Sequence, residues 1–149
     1  MEIKKVKIGI SAKQYDDVMD TGAEPSVMNV FCEAMITDDG ENIIVEYEEF
    51  LVDGGGVTNT KILFNKKDPY TVSLMRSGVV EMVCTFADGE RYNCAYRMAD
   101  GIALDFCIVT KELKNTLSFD GGSISLNYNV EVRGLVVTRN EYRLTIIKR

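Results

Sequence analysis

The sequence predicts an all-β protein, an antiparallel up-and-down barrel of about ten strands, on three observations. Apolar and polar residues alternate along most of the chain, which is the period of a half-buried strand. Runs of this kind end in the form X-Asp-Gly and restart at Asp38-Asp39-Gly40, Ala87-Asp88-Gly89 and Ala99-Asp100-Gly101. A three-residue hairpin loop ends in a left-handed residue, where glycine has no Cβ penalty and a preceding aspartate can bond its own backbone. No segment shows the helical period over a normal helix length. Sequential strands with short links make a meander, and a twisted meander of roughly eight to ten strands removes its edges by closing on itself.

The first strand covers 3–12. It leads into a long acidic connection, 13–26, containing Asp16, Asp17, Asp20, Glu24 and Pro25. The second, 27–37, passes through the first Asp-Gly loop to the third, 41–52, where Ile43, Val45, Tyr47 and Leu51 form one face and Glu49 falls among them. Asp53-Gly54-Gly55-Gly56 joins it to 57–66. In 70–76, Arg76 follows Tyr70, Val72 and Leu74 in phase. A two-residue Ser77-Gly78 turn then sets Arg76 opposite Val79, on the face of Leu74, Glu81 and Val83, which leaves open whether it points into the barrel.

The next strands can be tested by parity, because residues paired across antiparallel strands point to the same face. A three-residue loop at 87–89 sets Phe86 opposite Glu90, Cys84 opposite Tyr92, Met82 opposite Cys94 and Val80 opposite Tyr96. A two-residue loop would set Phe86 against Arg91. The loop at 99–101 sets Met98 opposite Ile102, Tyr96 opposite Leu104, Cys94 opposite Phe106 and Tyr92 opposite Ile108. Strands 79–86, 90–98 and 102–110 then share an apolar face, with Val80, Met82, Cys84, Tyr92, Cys94, Tyr96, Leu104 and Phe106 predicted to point inward. The apolar phase slips over 111–122, which reads as a loop with a bulge or short turn near Asn115. The clearest alternation is Ile124, Leu126, Tyr128, Val130 and Val132 in 123–133, and the last strand is 141–148.

Composition bounds the function. At 149 residues the chain is one domain, 1–149, long enough for a single sizeable core. Its net charge of -6, with no basic run, repels phosphate backbones and argues against nucleic-acid binding. No apolar run approaches the ~20 residues of a membrane-crossing helix, and Met1 to Lys7 lead into no apolar leader, so no membrane role and a cytoplasmic location are expected. Cys32, Cys84, Cys94 and Cys107 match no zinc spacing and there is no histidine to complete one; they read as reduced core thiols. In the register above Cys84 and Cys94 sit diagonally, so a disulfide would require a different register. The acidic residues of 13–26 lack calcium-loop order, and the glycine-rich link lacks the Lys-Ser/Thr of a phosphate loop. Neither a metal nor a cofactor is expected.

A set of segments carries a family resemblance. Tyr47-Glu48-Glu49, Thr58-Asn59-Thr60-Lys61-Ile62, Met75-Arg76-Ser77-Gly78-Val79-Val80, Tyr96-Arg97-Met98 and Gly122-Ser123-Ile124-Ser125-Leu126-Asn127-Tyr128 resemble, in order and spacing over 27–147, the YwiB-like family of small bacterial β-barrel proteins. Met-Arg-Ser-Gly followed by apolar alternation is the most distinctive part. The resemblance implies a calycin-like barrel, related in architecture to lipocalins, in a cytoplasmic protein of unknown function; it implies no catalytic residues.

The absence of histidine excludes a Cys-His or Ser-His nucleophile, and no catalytic constellation is present, so a non-enzymatic protein is expected. Two charges break the apolar pattern. Glu49 and Arg76 must each be paired, placed at a wet barrel mouth, or in the carboxylate's case protonated, since an unpaired buried charge is costly. If both point inward they should meet directly or through water, with Arg76 left to engage an acidic ligand; the structural alternative is a pair of strand-end charges or an ion pair. Tyr47, Tyr92, Tyr96, Phe106 and Tyr128 also lie on apolar faces, and several inward tyrosines favour a lumen that holds water or a polar ligand. The candidate ligand-binding set is therefore Tyr47, Glu49, Arg76, Tyr92, Tyr96, Phe106 and Tyr128. Two function classes stay open. The lumen binds a small amphipathic or acidic molecule, or the barrel is filled and acts as a protein-interaction module; an enzyme using Glu49 and tyrosine hydroxyls for proton transfer is a weaker third.

Overall fold

The computed structural model describes residues 1–16, 24–50, 57–78, 80–98, 101 and 103–147, with the backbone alone at 49, 50, 57, 80 and 98. Among them the alternation becomes ten strands: β1 (Glu2–Asp16), β2 (Ser26–Asp38), β3 (Asn42–Phe50), β4 (Val57–Asn65), β5 (Asp68–Gly78), β6 (Val80–Ala87), β7 (Arg91–Met98), β8 (Ala103–Asn115), β9 (Ser123–Val132) and β10 (Leu135–Ile147). Each pairs antiparallel with its sequence neighbour, and β10 returns to β1 to close an up-and-down barrel. Four strands are at least four residues longer than their sequence pattern suggests, among them β5, which spans Asp68–Gly78 rather than 70–76. β1 runs on through 13–16, β10 begins well before 141, and β8 extends to Asn115 across a bulge between Thr110 and Glu112 that absorbs the phase slip. Arg133 and Gly134, with φ of 53° and 81°, make the tight turn from β9 to β10.

The three Asp-Gly glycines have the expected left-handed φ: 95° at Gly40, 74° at Gly89 and 89° at Gly101. The loop lengths partly differ. Ala99 and Asp100 lie outside the described residues, but the β7–β8 register is the expected one, with Tyr96 opposite Leu104, Cys94 opposite Phe106 and Tyr92 opposite Ile108. The first loop is not 38–40. Asp38 pairs with Ile43, so the connection is Asp39 to Asn42, and side chains hold it: Asp39 Oδ1 accepts the N–H groups of Glu41 and Asn42 at 2.9 and 2.6 Å, and Asp38 Oδ1 accepts that of Gly40 at 2.9 Å.

The loop at 87–89 is also corrected. The Glu90 N–H donates to the Ala87 carbonyl at 2.9 Å, centring the turn on Asp88 and Gly89, and Met82 stands opposite Tyr96 rather than Cys94. The reason lies in β8. Gly89 N–H donates to the Thr110 carbonyl at 3.0 Å and Leu113 N–H to Asp88 Oδ1 at 3.2 Å, so the turn is tied to the next strand instead of standing free. The register moves by an even step, which preserves the faces but changes the partners. Cys84 and Cys94, expected as reduced thiols, now lie opposite each other with Cα atoms 5.2 Å apart and form a disulfide, which Cys32 and Cys107 do not.

The core occupies the end of the barrel where β1 begins. Ile8, Ile36, Val45, Ile124 and Leu144 are fully buried there. The segment after β8 seals that end. Leu117 is buried, Phe119 packs on the core, and an isolated Ser118–Gly121 bridge folds the segment back, so 116–122 is a plug rather than an open loop. The predicted apolar face of β6 to β8 is covered at Met82, Cys84, Cys94 and Phe106. Tyr92 and Leu104, by contrast, are 38% and 52% exposed, because they stand near opposite strand ends beyond the filled interior. Val80 lies outside the described side chains.

Candidate functional site

Toward the other end the interior is not filled. A cavity of about 160 Å³ opens among the upper strands, with Leu74, Met82, Cys84, Phe86, Phe106, Ile108, Leu126 and Val130 as its apolar wall. Its polar wall is Gln14, Arg76, Tyr128, Thr138, Asn140 and Tyr142. Strand pairing explains the arrangement. Arg76 is opposite Met82 on β6 and opposite Thr60 on β4, and Thr60 is opposite Tyr47 on β3, so these side chains form one row around the inner face. This corrects the Ser77-Gly78 turn expected from sequence, which paired Arg76 with Val79. Arg76 shares its face with Leu74, Met82 and Cys84, not with Glu81 and Val83.

The remaining candidates divide. Tyr47 is buried, and its hydroxyl lies 3.2 Å from that of Tyr142, joining β3 to β10 inside the barrel. Tyr128 stacks edge-on against Phe86 with ring centroids 4.9 Å apart. Tyr96 packs tilted against Phe106 at 6.4 Å, and only Phe106 of that pair lines the cavity. Tyr92 does not line it. The Glu49 backbone pairs with Thr58, but its side chain lies outside the described residues, and so does the expected Glu49–Arg76 contact.

Burial pushes the Tyr128 hydroxyl above its ordinary value of 10.0, with the Arg76 guanidinium pulling partly the other way. That coupling puts a fixed cation within electrostatic reach of a neutral phenol. Thr60, in this row, and Thr58, on the same face of β4, are fully buried, and their hydroxyls have no hydrogen-bond partner among the described residues. A buried hydroxyl left unsatisfied costs about 1–3 kcal/mol, which a water or ligand oxygen would recover. The chemistry on offer is a guanidinium, several hydroxyls and two amides facing an apolar wall.

Gln14, Thr58, Thr60, Thr138, Asn140 and Tyr142 were not singled out in the sequence. Their signal was parity: Gln14 continues the even-numbered face of Ile8, Ile10 and Ala12, and Asn140 that of Tyr142, Leu144 and Ile146. Elsewhere, a more open depression of about 640 Å³ is bordered by Lys4, Lys5, Lys7, Glu33 and Asp120, with Lys4 Nζ 3.9 Å from Asp120 Oδ1. Among the described residues no helix is long and apolar enough to cross a membrane, and no metal-binding cluster is present.

These features define a closed ten-strand antiparallel barrel with a small interior cavity that is polar on one side. Over residues 10–146 the chain matches the family described as "Domain of unknown function (DUF1934)", and it belongs to that family. Its fold is similar to that of a solved structure, "Crystal structure of ywiB protein from Bacillus subtilis", at a TM-score of 0.82 and 20% identity, covering 99% of this chain and 93% of that one. The resemblance read from the sequence is thus borne out as a small β-barrel family of unknown function. No curated protein matches the chain.

Proposed function

We propose that the barrel binds a small amphipathic acid in its lumen, with Arg76 meeting the acidic group and the Phe86–Phe106 wall covering the apolar part. The observation that carries this reading is Arg76 itself, a half-buried cation lining an otherwise largely apolar cavity. A guanidinium presents paired donors that match a carboxylate, and charge-assisted hydrogen bonds are strongest where water is excluded. The cavity bounds the ligand's size. About 160 Å³ is roughly five water volumes, well below the ~300 Å³ of a drug-sized site, so the ligand is compact or its tail leaves through the mouth.

We read the protein as a binder and not an enzyme because the described lining of the cavity offers a guanidinium, hydroxyls and amides but no carboxylate or imidazole to act as general acid or base. The analogy with lipocalins extends to this interior site alone. A cytoplasmic setting is our reading on the ground that Cys32 and Cys107 stand outside the Cys84–Cys94 disulfide, as thiols do in a reducing compartment. Native mass spectrometry of purified protein, followed by calorimetry with short aliphatic and aromatic carboxylates and their amides, tests the reading. Carboxylates are expected to bind and amides to bind at least about tenfold more weakly, with Arg76→Ala removing the difference. Equal binding of acid and amide, or an Arg76→Ala variant that still discriminates, overturns it.

A further inference from the structure

The barrel has one weak seam. Among the described residues β2 pairs with β3 only from Met35 opposite Glu46 to Asp38 opposite Ile43, whereas it pairs with β1 along its length. Beyond Met35 the strands part around a cleft of about 460 Å³ bordered by Glu33, Ala34, Tyr47 and Glu48. The cause is in the register. Continuing it would set Glu33 directly opposite Glu48, and like charges at facing positions destabilise a ladder. Among the described residues β2 is therefore left without a β3 partner over 27–34.

That edge is unusually inviting. Its residues, Val27-Met28-Asn29-Val30-Phe31-Cys32-Glu33-Ala34, contain no lysine, arginine or proline, the side chains that normally guard an edge, while the facing end of β3 carries Glu48 and Glu49. Val27, Met28, Val30 and Phe31 are all exposed, Phe31 at 72%. The Phe31 ring lies across Gly9, where an added Cβ would sit 3.3 Å from it, and so holds to the outer wall of its own barrel with one face uncovered.

We propose that β2 is the contact strand of a twofold dimer, pairing antiparallel with the same strand of a second copy of this chain. The sequence specifies the register. Facing residues must lie on the same side of the joint sheet, so a twofold axis perpendicular to the sheet passes through one residue and its copy. With the axis at Phe31, the two phenyl rings meet, Asn29 faces the partner's Glu33, Val30 the partner's Cys32, Met28 the partner's Ala34, and Val27 packs beside the partner's Met35. Apolar meets apolar at every position, and each glutamate finds an amide donor. With the axis at Val30, Phe31 would instead face the partner's Asn29 and Val27 the partner's Glu33. The main chain supplies the hydrogen bonds, and the side-chain match selects a second copy over an unrelated strand.

Sedimentation velocity on the full chain at about 1–100 μM tests the dimer, with circular dichroism as the fold control. Wild type is expected to sediment as a dimer. Phe31→Lys and Phe31→Glu each place like charges together on the axis and should weaken association by about a hundredfold while keeping the fold, since Phe31 is exposed. Mixing the two variants should restore a heterodimer. A monomeric wild type, a Phe31→Lys protein that still dimerises, or a mixture that stays monomeric overturns the proposal.

Discussion

The two ends of this barrel follow the same alternation and have opposite contents. Near the start of β1 the inward positions hold Ile8, Ile36, Ile124 and Leu144, and Leu117 and Phe119 cap them from the plug. Near the other end the same inward rows continue as Gln14, Arg76, Tyr128 and Asn140 around a cavity. What changes is side-chain chemistry and cover. Aliphatic residues fill space to a close-packed density, whereas long polar side chains must keep partners and so leave room for water or a ligand.

The comparison can be sharpened by truncation at each end. Ile124→Ala leaves a hole that its sealed surroundings cannot collapse into and should cost about 2–5 kcal/mol in denaturant unfolding. Arg76→Ala, at the cavity end, should change stability less than Ile124→Ala does. Equal losses at both sites would mean that the upper cavity is as tightly organised as the core.

Glycine substitutions separate closeness from strain. Gly122 has φ of 103°, and a Cβ there would overlap the Thr116 backbone inside the plug, so Gly122→Ala should combine strain with collision. Gly89 has φ of 74° with nothing within 4 Å, so Gly89→Val should show left-handed strain alone, about 1–3 kcal/mol in thermal or denaturant unfolding. Gly122→Ala is expected to be the worse of the two despite its smaller side chain.

The smallest expected effects are in pH, and they have opposite signs at the two ends. Hydrogen bonds from Lys66 and Gly40 hold Asp38, and those from Asn42 and Glu41 hold Asp39, below the ordinary carboxylate value of 3.8. Groups depressed on folding stabilise above their unfolded value, so this closed-end turn loses stability as pH falls through 3.8 and below. Tyr128 is raised above 10.0, so its preference for the folded, neutral state is lost as pH rises past that value. Amide exchange is expected to show the β2–β3 turn loosening first in acid, and absorbance titration to show a late phenolate at the cavity. An early phenolate would show that the upper cavity is solvated.

Legibility in the sequence followed the same division. The β7–β8 register was readable because facing apolar residues fixed both parity and offset. The β6–β7 register was readable only to its parity, since an even slip keeps Met82, Cys84 and Cys94 on one face; choosing among even offsets needed the contacts of Asp88 and Gly89 with β8, and with them came the Cys84–Cys94 pair. The polar cavity wall was hardest to read. Gln14, Thr138 and Asn140 interrupt the apolar alternation and so resemble loop residues, although an inward position that touches a cavity tolerates a polar side chain.

By itself, then, the sequence determined the all-β class, the left-handed glycines and the inner face of most strands, because these depend on the two-residue period and on local backbone sterics. Only the tertiary structure decided which register the β2–β3, β5–β6 and β6–β7 hairpins take, where Arg76 points, and that β2 parts from β3 beyond Met35. Those outcomes rest on contacts between strands far apart in sequence, where Glu33 meets or avoids Glu48 and Arg76 falls in line with Thr60 and Tyr47, and a period read along one strand carries no information about them.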